Sequence, residues 1–317
     1  MELLPAVSVI IPARNASKYL RQCLSSIASV EYPRHLVEVI VADNGSTDDT
    51  AEIATQFGAA VVDASGLKVG AVRNLGAAHA RGDVLAFTDS DIVVGTTWIV
   101  SAVEALGVVG VGAVGGVCRA PETGTWVEKA WTTCSCDSMR KTNCLAGSNF
   151  VIGRELFKKL GGFDETIVVA EDDDLSRKII SQELILLNVP GCAVTHLGYP
   201  ATLGALAMRQ VLFGGTVVPC PLALFEAMTL LAVTFYLSLI VLLVALVTGQ
   251  YGKCLISLMM LFLVPLIVAA KKATKGNEFY NNIYHLCMLW PIYFFYFLGK
   301  SLRFTKYAVE KSKALVN

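Results

Sequence analysis

Short apolar runs alternate with amphipathic segments along the first two hundred residues. A short apolar run between turn residues is typical of a buried strand, whereas apolar positions three or four residues apart indicate a helix. The predicted order is strand Val7–Ile11, helix Lys18–Ser29, strand Val37–Ala42, helix Asp48–Phe57, strand Ala60–Asp63, helix Val69–Ala80 and strand Val84–Thr88. This alternation predicts an α/β fold with a mainly parallel sheet and helices on its faces.

The loops that follow the predicted strands are the places to look for chemistry, because open α/β sheets bind ligands at the carboxyl ends of their strands. These loops are Pro12–Asn15, Asp43–Asp48 and Asp89–Asp91. A nicotinamide-binding Rossmann fold needs a glycine-rich turn after its first strand. The residues after Ile11 read Pro-Ala-Arg-Asn, without glycine, which disfavours a dinucleotide-binding domain.

Long stretches without charge begin after residue 200. Ala227–Gly252 contains 26 uncharged residues, roughly 39 Å of helix, which is enough to cross the ~30 Å hydrocarbon core of a bilayer. Cys254–Ala270 is a second run, of 17 residues. A third run, Phe279–Gly299, contains polar residues and a proline and is rich in Tyr and Trp, which suits a membrane interface.

The expected organisation therefore has three parts. A front α/β domain covers 1–200, an interfacial helix or linker covers 201–221, and a membrane domain with two to three hydrophobic helices and a basic C-terminal tail covers 222–317. Within the second part, Leu203–Phe213 is expected to be an interfacial helix, with a simple linker helix as the alternative.

Charge is distributed unevenly although the formal net charge is zero. Residues 271–317 carry eight Lys or Arg and two Asp or Glu, so the back of the chain is basic and the front mildly acidic. Basic residues beside membrane spans favour the cytoplasmic side. The basic residues fall in two groups, 271–275 and 300–313, and two membrane crossings place both groups on the side of the front domain. The front domain lacks a recognisable secretory leader and is expected in the cytoplasm. The third run would then be re-entrant or interfacial; the alternative is three spans with an external tail.

The two-span topology predicts that a tag fused after Asn317 is protected from protease added to intact cells, because the tail lies in the cytoplasm. A matched tag inserted after Gly252, between the first two apolar runs, should be cleaved under the same conditions. Immunoblotting of both tags measures the result, and cleavage of the C-terminal tag from outside would exclude the two-span topology.

Composition narrows the classes of protein further. Hydrophobic residues make up 54% and charged residues 16% of the chain, against about 25% charged in an ordinary soluble domain, so disorder and a purely soluble protein are disfavoured. The front part has no basic stripe interleaved with aromatic residues, so no nucleic-acid partner is expected. The spacing of Cys134, Cys136 and Cys144 matches no usual zinc site, and packed or loop thiols are the favoured interpretation.

Acidic residues follow two of the predicted elements. Asp89 and Asp91 come directly after a predicted strand, where two carboxylates two residues apart can converge on one Mg²⁺ or Mn²⁺. His196 ends a further predicted strand, Ala193–Thr195, and is either a structural histidine or a ligand of the same ion.

The acidic run Glu171–Asp174 precedes a predicted helix. Acids favour the positive end of a helix, but four in succession repel one another. A site that needs a general base to deprotonate a hydroxyl explains the excess. Asp43, after the second strand, can accept a hydrogen bond from a nucleobase or sugar, and Arg73 with Asn74 can serve the same ligand.

Seven ordered segments together resemble family 2 of the inverting, nucleotide-sugar-dependent glycosyltransferases, which have the GT-A fold. The resemblance covers about residues 5–198. The segments are Val7–Asn15, Val41–Asp48, Arg73–Gly76, Asp89–Asp91, Gly147–Asn149, Gly161–Glu165 and Glu171–Leu175.

The resemblance implies a role for each candidate residue. Pro12, Ala13 and Asn15 would line the nucleobase and ribose pocket, and Asp43 would contact the base. Lys68 and Arg73 would reach the base or diphosphate. Asp89 and Asp91, with Ser90 between them, would bind the nucleotide sugar and place Mn²⁺ or Mg²⁺ on its diphosphate, helped by His196. Gly147, Ser148 and Asn149 would lie beside the donor sugar. Asp172, or alternatively Glu171, would be the catalytic base.

The resemblance also implies partners: a nucleotide-sugar donor, with UDP-sugars preferred over GDP-sugars, and a lipid or lipid-linked acceptor at the cytoplasmic membrane face. Processive membrane synthases of the family carry Gln-x-x-Arg-Trp near the membrane entrance, whereas this chain has no Trp in 207–215, so transfer of one sugar per encounter is expected. The alternatives are a nucleotidyltransferase with a similar sheet, or a catalytically inactive membrane partner that keeps the fold.

Overall fold

A computed structural model describes residues 4–132, 138–213, 227–273, 287, 289–303 and 305. At 213, 227–229 and 271–273 it describes the backbone alone. Cys134, Cys136, the first part of the third apolar run and the basic tail from 306 lie outside the described residues. The chain divides into two compact units, Met1–Pro121 with Cys134–Gly198, and Glu122–Thr133 with Tyr199–Asn317.

The first unit contains an eight-stranded mixed sheet with the strand order β3-β2-β1-β4-β9-β6-β10-β8. Strands β3, β2, β1 and β4 are parallel, β9 is antiparallel to β4 and β6, and the edge strand β8 is antiparallel to β10. A second sheet has the order β5-β11-β7. The strands are β1 Val7–Ala13, β2 Val37–Asp43, β3 Ala60–Asp63, β4 Val84–Thr88, β5 Ile92–Val94, β6 Val111–Gly115, β7 Cys118–Arg119, β8 Arg140–Thr142, β9 Asn149–Gly153, β10 Ile185–Asn188 and β11 Val194–His196. The predicted mainly parallel mixed sheet is confirmed.

Both faces of this sheet are covered by helices, which explains why its central strands are continuously apolar. On one face Val9 and Ile11 pack with α1 and α4; on the other Ile10 packs with α3, α6 and α7. The helices of the first unit are α1 Ser17–Ala28, α2 Thr50–Gln56, α3 Val69–His79, α4 Trp98–Leu106, α6 Arg154–Lys159 and α7 Glu171–Ile180.

Strand β1 continues past Pro12 to Ala13, whereas the sequence predicted that Pro12 ends it. Pairing of β1 with β4 stops at Ile10, while pairing with β2 continues to Ala13. A residue without an N–H group is tolerated where a strand has only one paired edge. The extension brings Ala13 opposite Asp43 at the carboxyl edge of the sheet.

The second unit is helical. Its helices are α5 Trp126–Trp131, α8 Leu203–Phe213, α9 Ala227–Val247 and α10 Tyr251–Ala273, followed by helical backbone over 289–303. Leu230–Val247 and Tyr251–Ala270 have mean hydropathies of 2.9 and 2.4 and are long and apolar enough to cross a membrane. The two first apolar runs are thus helical, as membrane segments require.

Helix α5 groups with the C-terminal helices, although it precedes residue 200, the boundary that the sequence suggested. Val127 and Ala130 of α5 pack in one core with Leu206 of α8 and with Ile292 and Phe297 of the last helical segment. The chain therefore leaves the α/β unit after β7, contributes α5 to the helical unit, and returns at β8.

Candidate active site

The loops after β1 and β2 are latched together at the carboxyl edge of the sheet. The Asn15 side-chain oxygen accepts a hydrogen bond from the Thr47 amide at 2.8 Å, and the Asn15 amide donates to Ser46 Oγ at 2.9 Å. Asp43 accepts from the Ser46 amide at 3.0 Å and from its hydroxyl at 2.5 Å. Asn15 is exposed with a φ of 50°, a left-handed conformation that asparagine tolerates better than most residues. Asn15 and Asp43 thus lie together beside one loop.

Asp48 also fixes the conformation of the loop after β2 through hydrogen bonds. Its carboxylate accepts hydrogen bonds from the amides of Ser17 and Thr50 and from the Thr50 hydroxyl. Desolvation opposes ionisation, but the hydrogen bonds from Ser17 and Thr50 outweigh it and hold the pKa of Asp48 at about 2. The loop is therefore organised by an ionised carboxylate at all ordinary pH values.

A buried guanidinium joins the two acidic segments that the sequence singled out. Arg73, on α3, is only 4% exposed. Its Nη2 donates to Asp89 Oδ1 at 2.9 Å, and its Nη1 donates to Glu171 Oε1. Burial works to lower the pKa of Arg73, but the charges of Asp89 and Glu171 outweigh it and raise the pKa. Arg73 was expected to reach the nucleobase or diphosphate; it is instead enclosed between two carboxylates of the protein.

Glu171 differs from the expectation that it could serve as the base. Glu171 is 6% exposed and its carboxylate is bound to Arg73, so little of it is open to an acceptor hydroxyl. Burial is the largest cause of its raised pKa, and the charge of Arg73 opposes that shift. The geometry leaves Asp172 as the candidate base.

Asp172 is held against the loop that precedes β9. The Gly147 amide donates to Asp172 Oδ2 at 2.8 Å, and the Asp173 amide donates to Asp172 Oδ1 at 3.0 Å. Two further bonds tie this loop to α7: Leu145 N–H donates to Ser176 Oγ at 3.2 Å, and the Cys144 thiol donates to Asp173 Oδ1 at 2.6 Å. The carboxylate of Asp172 therefore has a defined direction beside Gly147.

Cys144 makes a contact that sequence reasoning missed, because that reasoning favoured a packed or loop thiol over a zinc ligand and named no partner for it. Burial and then the hydrogen bond to Asp173 raise the pKa of the Cys144 thiol well above its usual range. A neutral thiol can donate to Asp173 without adding charge to the acidic run. No sequence signal pointed to this contact, because Cys144 and Asp173 are distant in sequence.

Asn149, which the sequence predicted beside the donor sugar, has its side chain inside the protein. It is completely buried. Its Nδ2 donates to the carbonyls of Gly116 and Cys192 at 3.1 and 2.8 Å, and its Oδ1 accepts from Trp98 Nε1 at 3.0 Å. Gly147 is also buried, whereas the neighbouring Ser148 is half-buried.

The remaining donor-side residues occupy different positions. Lys68 is exposed and its Nζ donates to the Thr166 carbonyl at 2.8 Å. Pro12 is half-buried and Ala13 buried. Asn74 binds the backbone of Phe163 and the side chain of Glu165. Lys68 and Asn74 thus fasten α3 to the 163–166 segment that leads to α7.

Asp91 and His196 lie side by side. Asp91 Oδ2 is 3.7 Å from His196 Nδ1, and the Gly198 amide donates to the same nitrogen at 3.0 Å. Among the residues that the structure describes, no group of three or more His, Cys, Asp or Glu side chains is arranged to hold a metal ion. Asp89, the third expected ligand, is engaged with Arg73.

The side chains of Asp91 and His196 nevertheless suit a metal ion that binds together with a substrate. Mg²⁺ is usually held by one or two carboxylates together with phosphate oxygens and water, and not by a full protein cage. A Cβ at Gly198 would overlap with Asp91 Oδ2, so only glycine leaves room for that carboxylate. Asp91 with His196 can supply two donors to one cation.

The sheet order, the loops latched after β1 and β2, and the acidic residues after β4 and at the start of α7 define a domain of the GT-A fold class. Residues 8–161 match glycosyl transferase family 2.

Curated and solved proteins agree with this assignment. Glycosyltransferase AglE of Haloferax volcanii is 32% identical over 180 residues, 53% of this chain and 59% of AglE. The 4,4'-diaponeurosporenoate glycosyltransferase of Staphylococcus aureus is 40% identical over 93 residues, 27% of this chain and 24% of the enzyme. The chain thus spans less than two thirds of these relatives.

A solved structure extends the likeness over most of the chain. The mannosyltransferase PcManGT of Pyrobaculum calidifontis, in complex with GDP-Man and Mn²⁺, superposes with a TM-score of 0.56 at 21% identity, covering 92% of this chain and 86% of PcManGT. At this identity the likeness concerns the fold.

The burial of Asn149 predicts that Asn149→Ala lowers stability and does not selectively weaken donor binding. The substitution leaves Trp98 Nε1 and two carbonyls without their partner, at about 1–3 kcal/mol for each unsatisfied group. We expect the thermal midpoint of the full chain in detergent, followed by near-ultraviolet circular dichroism, to fall by several degrees.

Ser148→Ala is the matched control, since the half-buried neighbour should change the midpoint little. If Asn149→Ala kept the wild-type midpoint and raised only the KM for a nucleotide sugar, the structural role of Asn149 would be wrong.

Proposed function

We propose that the chain is a metal-dependent inverting glycosyltransferase that moves one sugar from a nucleotide-sugar donor to a lipid or lipid-linked acceptor at the cytoplasmic membrane face. The observation that carries the proposal is the meeting of the two acidic segments at Arg73. Asp89 and Glu171 bind the same guanidinium. The segment expected to hold the diphosphate and the helix that carries Asp172 are therefore parts of one site.

The chemistry that this arrangement supports is a single displacement. The acceptor oxygen attacks the anomeric carbon while the bond from that carbon to the diphosphate oxygen breaks. Asp172 takes the proton of the acceptor hydroxyl, and the nucleoside diphosphate leaves with the electron pair of the broken bond. One displacement inverts the anomeric centre, and no covalent enzyme intermediate is required.

Asp91 and His196, with Asp89 after rearrangement of its pair with Arg73, are the residues that would hold Mn²⁺ or Mg²⁺. A bound divalent cation would supply neutralisation of the charge that develops on the departing diphosphate. PcManGT, which shares the fold, was solved in complex with Mn²⁺, and this supports a metal for the present chain.

The donor base and the acceptor are proposed on different grounds. Asn15 and Asp43 flank the pocket expected for the base, and UDP-sugars remain our first choice, although PcManGT was solved with GDP-Man. The lipid acceptor is supported by two helices that could span a membrane and by the acceptor in the name of the Staphylococcus aureus relative.

Two other functions have less support. A nucleotidyltransferase would need a glycine-rich basic loop after β1, where this chain has Pro12–Asn15. An inactive partner subunit would not need a carboxylate fixed by two backbone amides, as Asp172 is.

The proposal predicts transfer of label from a nucleotide sugar into the lipid phase when the full chain in detergent is incubated with Mn²⁺, membrane lipids and labelled UDP-glucose, UDP-N-acetylglucosamine or GDP-mannose. Asp172→Asn should lower this rate about 10²- to 10⁴-fold, because the general base is lost.

Asp83→Asn is the matched control. Asp83 lies at the opposite end of β4 from Asp89 and is exposed, so the rate should stay near that of the wild type. Label that appears only in the water phase would refute the lipid acceptor, and full activity of Asp172→Asn would refute the base.

The metal assignment predicts that Mn²⁺ raises the thermal midpoint of the chain in the presence of UDP or GDP, since a ligand that binds only the folded state stabilises it. Asp91→Asn should remove most of this metal-dependent increase, while Asp83→Asn should keep it. Midpoints are measured with and without EDTA; an increase that is independent of Mn²⁺ in the wild type would contradict the metal role.

A further inference from the structure

We propose that Glu171 is a positioning residue: through Arg73 it fixes the first turn of α7 so that Asp172 faces the donor site. This inference rests on the proposed function, since it assumes that Asp172 is the base. It assigns a separate task to the residue that precedes the base and excludes Glu171 as a base itself.

Arg73 and Glu171 form a buried ion pair. Arg73 and Glu171 are 4% and 6% exposed, so neither charge is stabilised by water. A buried charge persists only when it is paired and hydrogen-bonded. Removing one partner leaves the other uncompensated, and the pair therefore resists separation. The side chain of Glu171 has one favourable place, against Arg73.

Neighbouring groups also hold the Arg73 guanidinium in place. The centre of the Arg73 guanidinium lies 5.6 Å from the Phe163 ring, and a Cβ added at Gly147 would lie 3.0 Å from its Cζ. Arg73 is thus enclosed by the ring, by the Gly147 backbone and by the carboxylates of Asp89 and Glu171. It cannot swing toward solvent without breaking several contacts.

The geometry of α7 links the direction of the Glu171 side chain to that of Asp172. Neighbouring residues on a helix point about 100° apart, so fixing the direction of Glu171 fixes that of Asp172. Asp172 then meets the Gly147 amide at 2.8 Å. Because Gly147 also covers Arg73, the same guanidinium locates both the base and its hydrogen-bond donor.

The arrangement also separates Glu171 from Arg73 in what their loss should affect. Glu171, on α7, pairs with Arg73 of α3, whereas Arg73 also binds Asp89 in the segment expected to hold the diphosphate. Loss of Glu171 should affect turnover. Loss of Arg73, which binds both carboxylates, should affect turnover and donor binding together.

The test uses the full chain in detergent with Mn²⁺ and measures release of nucleoside diphosphate from whichever of UDP-glucose, UDP-N-acetylglucosamine or GDP-mannose the wild type hydrolyses fastest. Glu171→Gln should lower kcat about 10- to 100-fold, since a misplacement near 1 Å can cost that much. Its Kd for UDP or GDP, measured by calorimetry, should stay within about twofold of the wild type.

A double-mutant cycle shows whether Glu171 acts through Asp172. In the Asp172→Asn background, Glu171→Gln should change kcat by less than about twofold, because residues that act as a unit are not additive. Arg73→Lys, which keeps the charge but not the fork, should lower kcat and weaken nucleotide binding. Glu155→Gln, at an exposed ion pair with Lys158 on α6, is the matched carboxylate-to-amide control and should behave as the wild type.

The outcomes separate this inference from the proposed function. A fully active Asp172→Asn with an inactive Glu171→Gln would make Glu171 the base and overturn the inference. Equal losses from Glu171→Gln in both backgrounds, or a loss of nucleotide binding as large as the loss of turnover, would show a general structural role and overturn it as well. No nucleotide binding and no turnover by the wild type would refute the proposed function itself.

Discussion

The structure of the site depends on one buried cation. Arg73 lies between the half-buried Asp89 and the buried Glu171, and its charge is what allows these two carboxylates from distant parts of the sequence to lie close together. Without it, the start of α7 would bring Glu171 and Asp172 toward Asp89, and like charges in a poorly solvated site repel strongly. The identity of Gly147 follows from the same constraint, because a side chain there would press on the guanidinium.

The four successive acids of α7 are tolerated because each has a different partner. Glu171 binds Arg73, Asp172 accepts from the Gly147 and Asp173 amides, and Asp173 accepts from the Cys144 thiol. Asp174 pairs with Lys178 at 2.9 Å one turn later. Asp172 is thus held in place by two backbone amides.

The sequence predicted the architecture well and the division of tasks within the site less well. Periodicity located the strands and helices of the first 90 residues within a few positions, because burial on two faces leaves continuous apolar runs. It could not separate Glu171 from Asp172, since which of two adjacent acids points inward depends on how α7 packs. The burial of Asn149 could not be predicted for the same reason, because its partners Trp98 and Cys192 are distant in sequence. The grouping of α5 with the C-terminal helices likewise depends on long-range packing of Val127 and Ala130.

The backbone before α7 shows how firmly Glu171 is held. Ala170 has φ 73° and ψ 32°, a left-handed conformation that costs a residue with a Cβ about 1–2 kcal/mol. Such strain persists only where the surroundings fix the backbone on both sides. On one side Lys68 and Asn74 fasten the 163–166 segment to α3; on the other, Arg73 of the same helix binds Glu171. Removing one partner of a buried pair costs about 3–5 kcal/mol, because the other charge is then left uncompensated. Helix α3 therefore imposes an abrupt start on α7, and this abrupt start brings Asp172 to the edge of the site.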